Sequence, residues 1–407
     1  MTRADAEALD RSDPLAHFRK QFVIEGPVIY ADGNSLGRLP DGMVDRLRGV
    51  VDTWGSRLVT AWPEWIDRPL EVGDLLADVL GASPGEVLVC DSTTVNLFKL
   101  AAAALARRPG TLVTDADNFP TDRYVLEGLG ELVAFDADPI DGPTADDVAR
   151  ACTARDVSLV CISHVAYRSG ALADVRTISD VAHDAGALLL LDVSHSAGVA
   201  PIELEAAGVD LAVGCTYKYL NAGPGSPAFL YVRAKLQDDL RSPIWGWFGQ
   251  REQFAMGPAY DPVSGIGRFL AGTPPILGLA AVEIGAELVR DAGIEALRRK
   301  SVALTELVVS LHDERLAPLG FELGTPRDPE RRGGHVSVRH VDGWRICRAL
   351  IERAEVVPDF RAPDSIRFGL PPLYTRFVDA WDIVDRLARL VESGEHELVD
   401  ATPARVT

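Results

Sequence analysis

No stretch of this sequence approaches the ~20 consecutive apolar residues that a membrane-crossing helix needs. Basic residues are in deficit, with 41 Lys and Arg against 60 Asp and Glu and a formal charge of −19. That balance argues against nucleic acid or an anionic membrane surface as a partner. Cysteine is scarce, and Cys90, Cys152, Cys161, Cys215 and Cys347 form no close pairs. An odd count, mostly in apolar stretches, points to reduced core thiols and excludes a disulfide framework. The first residues, which include Asp5, Glu7, Asp10 and Asp13, lack the basic start and apolar segment of an export signal. A soluble, cytoplasmic protein is therefore expected. There is no internal repeat and no low-complexity segment. What remains is an ordinary globular composition, 47% hydrophobic and 25% charged, over 407 residues, enough for two domains.

The most informative residues are Leu188-Leu-Leu-Leu-Asp192-Val-Ser-His195 and, downstream, Gly214-Cys-Thr-Tyr-Lys218-Tyr-Leu-Asn221. An apolar run ending in Asp reads as a buried parallel strand with a carboxylate at its C-terminal tip. A second short strand then delivers Lys218 just past its own end. Lys218 sits between Tyr217 and Tyr219 beside buried strand, an unusual place for an unpaired charge. A lysine able to form a Schiff base, with an aspartate to pair a pyridinium nitrogen, is the least that pyridoxal phosphate asks of a protein. His195, close to Asp192, is placed to hydrogen-bond the same group.

Helix and strand patterns alternate around these segments. Strands are expected at 86–90, 111–114, 131–135, 157–163, 187–193, 210–216 and 228–232, with helices such as 94–107 and 175–185 between them. This alternation predicts an α/β fold whose mostly parallel seven-stranded sheet binds ligands at its C-terminal strand ends. From about Pro275 the texture changes to helices at 276–291, 294–311, 343–353 and 378–391 with strands at 333–340 and 365–369, a smaller α+β domain. The division expected is an N-terminal segment, 1–55, packing with the small domain, a large cofactor-binding domain, 56–275, and a small C-terminal domain, 276–407.

Phosphate is held by amides and hydroxyls at a helix N-terminus, and Ser92-Thr93-Thr94 supplies both. Taken alone, those residues are ordinary helix caps. Phe119-Pro120-Thr121-Asp122 follows the 111–114 strand and offers an aromatic face for a cofactor ring. Gly223-Pro-Gly225-Ser-Pro-Ala228 matches a dinucleotide fingerprint, but it holds two prolines and leads into a strand where that motif must open a helix. It is read as a tight turn.

Several segments together resemble the kynureninases, pyridoxal-phosphate-dependent hydrolases of fold type I in the aspartate aminotransferase superfamily. They are Asp32-Gly-Asn-Ser-Leu-Gly37, Thr94-Val-Asn-Leu-Phe98, Asn118-Phe-Pro-Thr-Asp122, the residues around Asp192 and Lys218, Gly246-Trp-Phe-Gly249, Ala271-Gly-Thr-Pro-Pro275, and Ile366-Arg-Phe-Gly369 with Pro372-Leu-Tyr374. The resemblance spans nearly the whole chain. It implies that Lys218 carries the cofactor and that Asp192 faces its pyridine nitrogen. It places Thr93, Thr94, Tyr217 and Trp247 at the phosphate, joined by Thr273 from a second subunit. Phe119, Pro120, Thr121, Asp122 and His195 would flank the ring, and Arg367 would bind the substrate α-carboxylate, which suits its planar fork. Trp62 and Trp65, with Trp247, are candidates for the aromatic end of the pocket. The segment 260–267 departs from the bacterial pattern, with Val263-Ser264 where Ser-Asn is usual.

The activity so implied is hydrolytic cleavage of the Cβ–Cγ bond of L-kynurenine or 3-hydroxykynurenine to the anthranilate and L-alanine, within tryptophan catabolism, the kynurenine pathway and NAD biosynthesis. Lys218 would move the α-proton, and Tyr217 would handle the proton at the carbonyl or Cβ. The resemblance also implies a homodimer with shared active sites. Rival readings are another fold type I enzyme, namely an aminotransferase, a β-lyase or a desulfurase using Cys347, and a non-catalytic regulator. The residue types do not decide between kynurenine and its 3-hydroxy form, because no side chain can be assigned to that hydroxyl.

Overall fold

In the computed structural model, which describes residues 1–400, seven strands form one sheet. They are β1 (Val87–Val89), β2 (Thr111–Asp115), β3 (Leu132–Phe135), β4 (Val157–Ser163), β5 (Leu188–Asp192), β6 (Leu211–Gly214) and β7 (Phe229–Val232). Their order is β1-β7-β6-β5-β4-β2-β3. All neighbours run parallel except β7, which is antiparallel to both β1 and β6. The Gly-Pro-Gly turn makes that reversal, with Gly223 and Gly225 at φ of 88° and 74°, where a side chain would be strained.

The apolar run of β5 shows why this sheet is covered on both faces. Successive side chains point to opposite faces, so Leu189 and Leu191 enter one core with Val160 and Ile162, while Leu190 enters the other with Leu159 and Cys161. Asp192 is the first polar residue of the run and falls at the sheet's C-terminal edge.

The small domain has a four-stranded antiparallel sheet in the order β10-β11-β9-β8, formed by β8 (Glu322–Leu323), β9 (His335–Arg339), β10 (Asp359–Arg361) and β11 (Ser365–Gly369). Its core, with Val336, Val338, Ile366 and Phe368, is covered by the helices Gly343–Arg353 and Phe377–Glu392. The strands β8 and β10 are two and three residues long, too short to leave a periodic signature in sequence.

The N-terminal helix Arg3–Ser12 lies against Phe377–Glu392, and the Asp10 carboxylate accepts from the backbone N–H groups of Phe377 and Val378 at 2.6 and 3.1 Å. An anion at a helix N-terminus satisfies orphan amides and favours the dipole. The helix Ile276–Ala292, placed by its sequence texture with the small domain, packs Leu279, Val282, Ala286 and Val289 into the large-domain core. Gly285 allows that approach, since a Cβ there would stand 1.7 Å from the carbonyl oxygen of Leu220. The helix thus backs the loop that carries Lys218. All five cysteines are buried and free. No helix among the described residues is long and apolar enough to cross a membrane.

Candidate active site

Loops at the C-terminal ends of β2, β5 and β6 converge on Lys218. Its Nζ lies 3.3 Å from Nε2 of His195 and 6.0 Å from the centre of the Phe119 ring. His195 is reached directly from β5, through a turn in which the Ser194 N–H donates to Asp192 Oδ1 at 2.8 Å. Burial, and after it the Lys218 charge, holds the His195 imidazolium well below its ordinary range, so the ring is neutral at neutral pH. An ammonium can only donate, so a protonated Lys218 places the imidazole proton on Nδ1.

The loop after β2 is held by Asn118, whose Nδ2 donates to Thr114 Oγ1 at 3.0 Å and whose Oδ1 accepts from Phe119 N and Ser163 Oγ at 2.8 and 2.7 Å. Pro120 opens the helix Pro120–Leu129, where its missing N–H costs nothing, and Thr121 and Asp122 follow in the first turn. Asp122 is thereby buried and meets Asp192 carboxyl to carboxyl. Burial first, and then the Asp192 charge, pushes the Asp122 carboxyl well above the usual carboxylate range. Its Oδ2 is buried without a hydrogen-bond partner.

On the opposite side the segment 32–37 crosses the lysine loop. Gly37 N donates to Tyr217 O at 2.7 Å, and a Cβ on Gly37 would stand 2.3 Å from the Lys218 carbonyl oxygen. The Tyr217 hydroxyl turns toward Cys215; that neighbour and burial raise its pKa. From the small domain, β9 contributes His335, 5.7 Å from His195 ring to ring and fully buried. The strand β11 contributes Arg367, 1% exposed. Its Nη1 donates to the Tyr167 carbonyl, its Nη2 to the Asp359 carboxylate and, at 3.4 Å, to Ser35 Oγ. Arg367 Nε is buried with no partner. Asp359 also pairs with Arg361 at 3.0 Å.

Four expected residues make their contacts elsewhere in the chain. Trp62 packs on Trp65 and Phe248, at 5.8 and 6.3 Å between rings. Trp65 borders a surface groove with Val50, Trp54 and Ile276. Trp247 packs on Phe248 and Phe254, at 4.5 and 5.9 Å. Thr273 is exposed. Sequence reasoning passed over His335, Asp359, Ser163 and Tyr167. Of these only His335 carried a signal, as an inward position at the start of the expected strand 333–340.

The chemistry of the site fits pyridoxal phosphate. A pyridinium N–H offsets the cost of two buried carboxyls side by side and gives the orphaned Asp122 oxygen a donor. Thr93 and Thr94 open the 15-residue helix Thr93–Arg107, whose Ser92 cap accepts only from Val95 N, at 3.4 Å. The amides of Thr93 and Thr94 and their hydroxyls therefore remain for a phosphate. No cluster of His, Cys, Asp and Glu among the described residues is arranged to hold a metal ion.

Comparison with known proteins decides the family. Residues 297–387 match the family described as "Kynureninase C-terminal domain". The chain is 42% identical to a kynureninase of Pseudomonas fluorescens over 402 residues, covering 96% of each. It is 43% identical to one of Burkholderia pseudomallei strain K96243 over 424 residues, covering all of both.

The chain belongs to the kynureninase family.

Solved structures extend the likeness of this kynureninase-family chain to the fold alone. A cysteine desulfurase from Thermococcus onnurineus NA1 superposes with a TM-score of 0.80 at 19% identity, covering 93% of this chain and 98% of that one. A C-DES variant with glycine covalently linked to its PLP cofactor gives 0.78 at 17%, covering 92% and 99%. The desulfurase likeness does not extend to a reactive thiol. Cys347, weighed above as such a nucleophile, is 1% exposed inside the small-domain core, and burial pushes its thiol pKa up.

Proposed function

We propose that this site hydrolyses the Cβ–Cγ bond of L-kynurenine or its 3-hydroxy form, yielding the anthranilate and L-alanine, with pyridoxal phosphate as cofactor. The observation that carries the reading is Lys218 set 3.3 Å from a neutral His195 and beside the buried Asp122–Asp192 pair. When bound, the cofactor supplies an electron sink conjugated to the substrate nitrogen.

The chain's residues divide the remaining work. Asp192, with Asp122 beside it, would hold the pyridine nitrogen and favour its protonated form. Thr93 and Thr94 would bind the phosphate, and Phe119, 6.0 Å from Lys218 Nζ, would cover the ring. Arg367 anchors the α-carboxylate and so aims Cα–H at Lys218. Lys218 Nζ would accept the α-proton of the bound substrate. His195, being neutral, takes hydrogen bonds without adding a charge that would compete. Tyr217, one residue from Lys218, exchanges a proton with the γ-carbonyl oxygen or Cβ as water adds and the bond breaks. Water contributes the hydroxyl of the anthranilate carboxyl group and a proton to the new alanine methyl.

We read the enzyme as a cytoplasmic homodimer with shared sites. Val44, Val51, Trp54, Leu58 and Val59, all exposed, line one face of the helical region around Met43–Arg57, and exposed Leu277 adjoins them. An apolar face of that extent supports burial against a second copy. Thr273 stands four residues before Leu277, so the same contact would carry Thr273 toward the partner's phosphate. The test is a cofactor-supplemented assay with kynurenine and 3-hydroxykynurenine side by side, following the anthranilates and alanine. Products absent with Lys218→Ala support the reading; a cofactor-loaded protein that cleaves neither substrate refutes it.

A further inference from the structure

The buried cluster around Arg367 holds more than an anion-binding fork. Arg367 and Arg361 both pair with Asp359, which is 1% exposed. Asp32 lies against the same cluster, bridged to Gly369 at the end of β11, and its Oδ1 is buried without a partner. The Ser35 hydroxyl stands among Asp32, Asp359 and Arg367. With both acids ionised, two arginines and two carboxylates cancel, leaving no net charge to receive an anion. A buried anion brought to neutral ground costs desolvation free energy that no countercharge offsets. Yet the unpartnered Arg367 Nε is a donor waiting inside this cluster.

We propose that Asp32 takes up one proton when a substrate α-carboxylate docks on Arg367, so that the incoming charge replaces the one Asp32 gives up. The proposal rests on the reading of Arg367 as the carboxylate anchor. Protonation leaves Asp32 neutral, and the substrate then becomes the second anion of a balanced four-charge set. The charged and titratable groups that face Asp32 are Asp359, Arg361 and Arg367 from β10 and β11, Tyr30 before it, Tyr219 from the lysine loop and Cys347 from the Gly343–Arg353 helix. Burial, and after it the Asp359 charge, already lifts the free Asp32 carboxyl to about 7. A second anion nearby raises it further, so uptake opens above that value and vanishes where Asp32 is already protonated.

The experiment is calorimetric titration of the holoenzyme with the desamino analogue of kynurenine, which keeps the carboxylate and aryl ketone but has no amine to react. Buffers of different ionisation enthalpy report the protons exchanged. We expect uptake close to one proton at about pH 8, none at about pH 5.5, and an affinity that falls by up to about tenfold per pH unit above neutrality. In Asp32→Asn, which mimics the protonated acid, uptake at about pH 8 disappears and the affinity becomes independent of pH. Ser35→Ala removes a hydroxyl that favours the Asp32 anion, and it moves the onset of uptake to higher pH. Absent uptake in the parent enzyme, or uptake undiminished in Asp32→Asn, overturns the proposal. Should the Asn variant not fold, an onset unmoved by Ser35→Ala overturns it instead. Arg367→Met separates the two claims. Undiminished binding there refutes the anchor reading itself, whereas lost binding with no uptake in the parent removes only the role of Asp32.

Discussion

At the sheet edge Asp122 and Asp192 meet carboxyl to carboxyl, with Lys218 as the positive charge that tempers them. On the small-domain side a half-buried Asp32 neighbours the buried Asp359, which pairs with Arg367 and with the more exposed Arg361. The same residue type meets opposite surroundings in the two places. On the proposed reading, two acids short of cations hold a place for a protonated ring nitrogen, and two acids matched by two arginines hold one for a carboxylate once one acid is neutral. On that reading an amino acid between these regions would turn its carboxylate toward Arg367 and its reacting carbons toward Lys218.

Replacing the lysine is the most severe way to break this arrangement. Lys218→Ala should lower the rate of anthranilate release by at least about 10³-fold, since it removes both the attachment point and the proton carrier. Arg367→Met comes next. We expect kcat/KM to fall by about 10²–10³-fold, mostly through KM, as measured in steady-state kinetics with kynurenine. A urea titration of the same variant should show a loss of about 3 kcal/mol, because the buried Asp359 loses its buried countercharge.

Asp122→Asn sharpens the comparison further. The folded Asp122 carboxyl titrates above its unfolded value of 3.8, so its contribution is complete below that value and is lost as pH rises toward the folded one. Without cofactor the Asn variant should therefore lack this decline. It should be the more stable chain near neutral pH, by about 1–3 kcal/mol in denaturant titrations. With cofactor bound the order should reverse, because a neutral amide cannot match the pyridinium charge. Cys347→Ala has the smallest effect. It should leave activity within about twofold and cost about 1 kcal/mol of stability for the small cavity, whereas loss of activity would restore a thiol mechanism.

Much of this was legible in the residues. The strand β5 could be read from four leucines ending in Asp, and its burial on both faces follows from that composition. The Gly-Pro-Gly turn could be separated from a nucleotide loop because proline and a following strand are incompatible with a helix start. The helix Ile276–Ala292 misled because amphipathic periodicity reports that a helix has a buried face and not which core receives it. The contact of Gly285 with Leu220 decided that. Trp62, Trp65, Trp247 and Thr273 were named through family resemblance, and within the single chain they pack on their neighbours or face outward.

The sequence by itself determined the sheet, the tip positions of Asp192 and Lys218, and the helix N-terminus at Thr93, because each follows from local periodicity and capping chemistry. Only the tertiary structure decided which charges would share a pocket. Ser35 reaches Asp359 across 324 residues of chain, and Arg367 reaches the Tyr167 carbonyl across 200. Such pairings depend on how one domain's loops dock on the other's strands, and an ion pair leaves no periodic trace in either partner's neighbourhood. Residue type announced that acids and arginines were present; the tertiary structure decided which of them lie side by side.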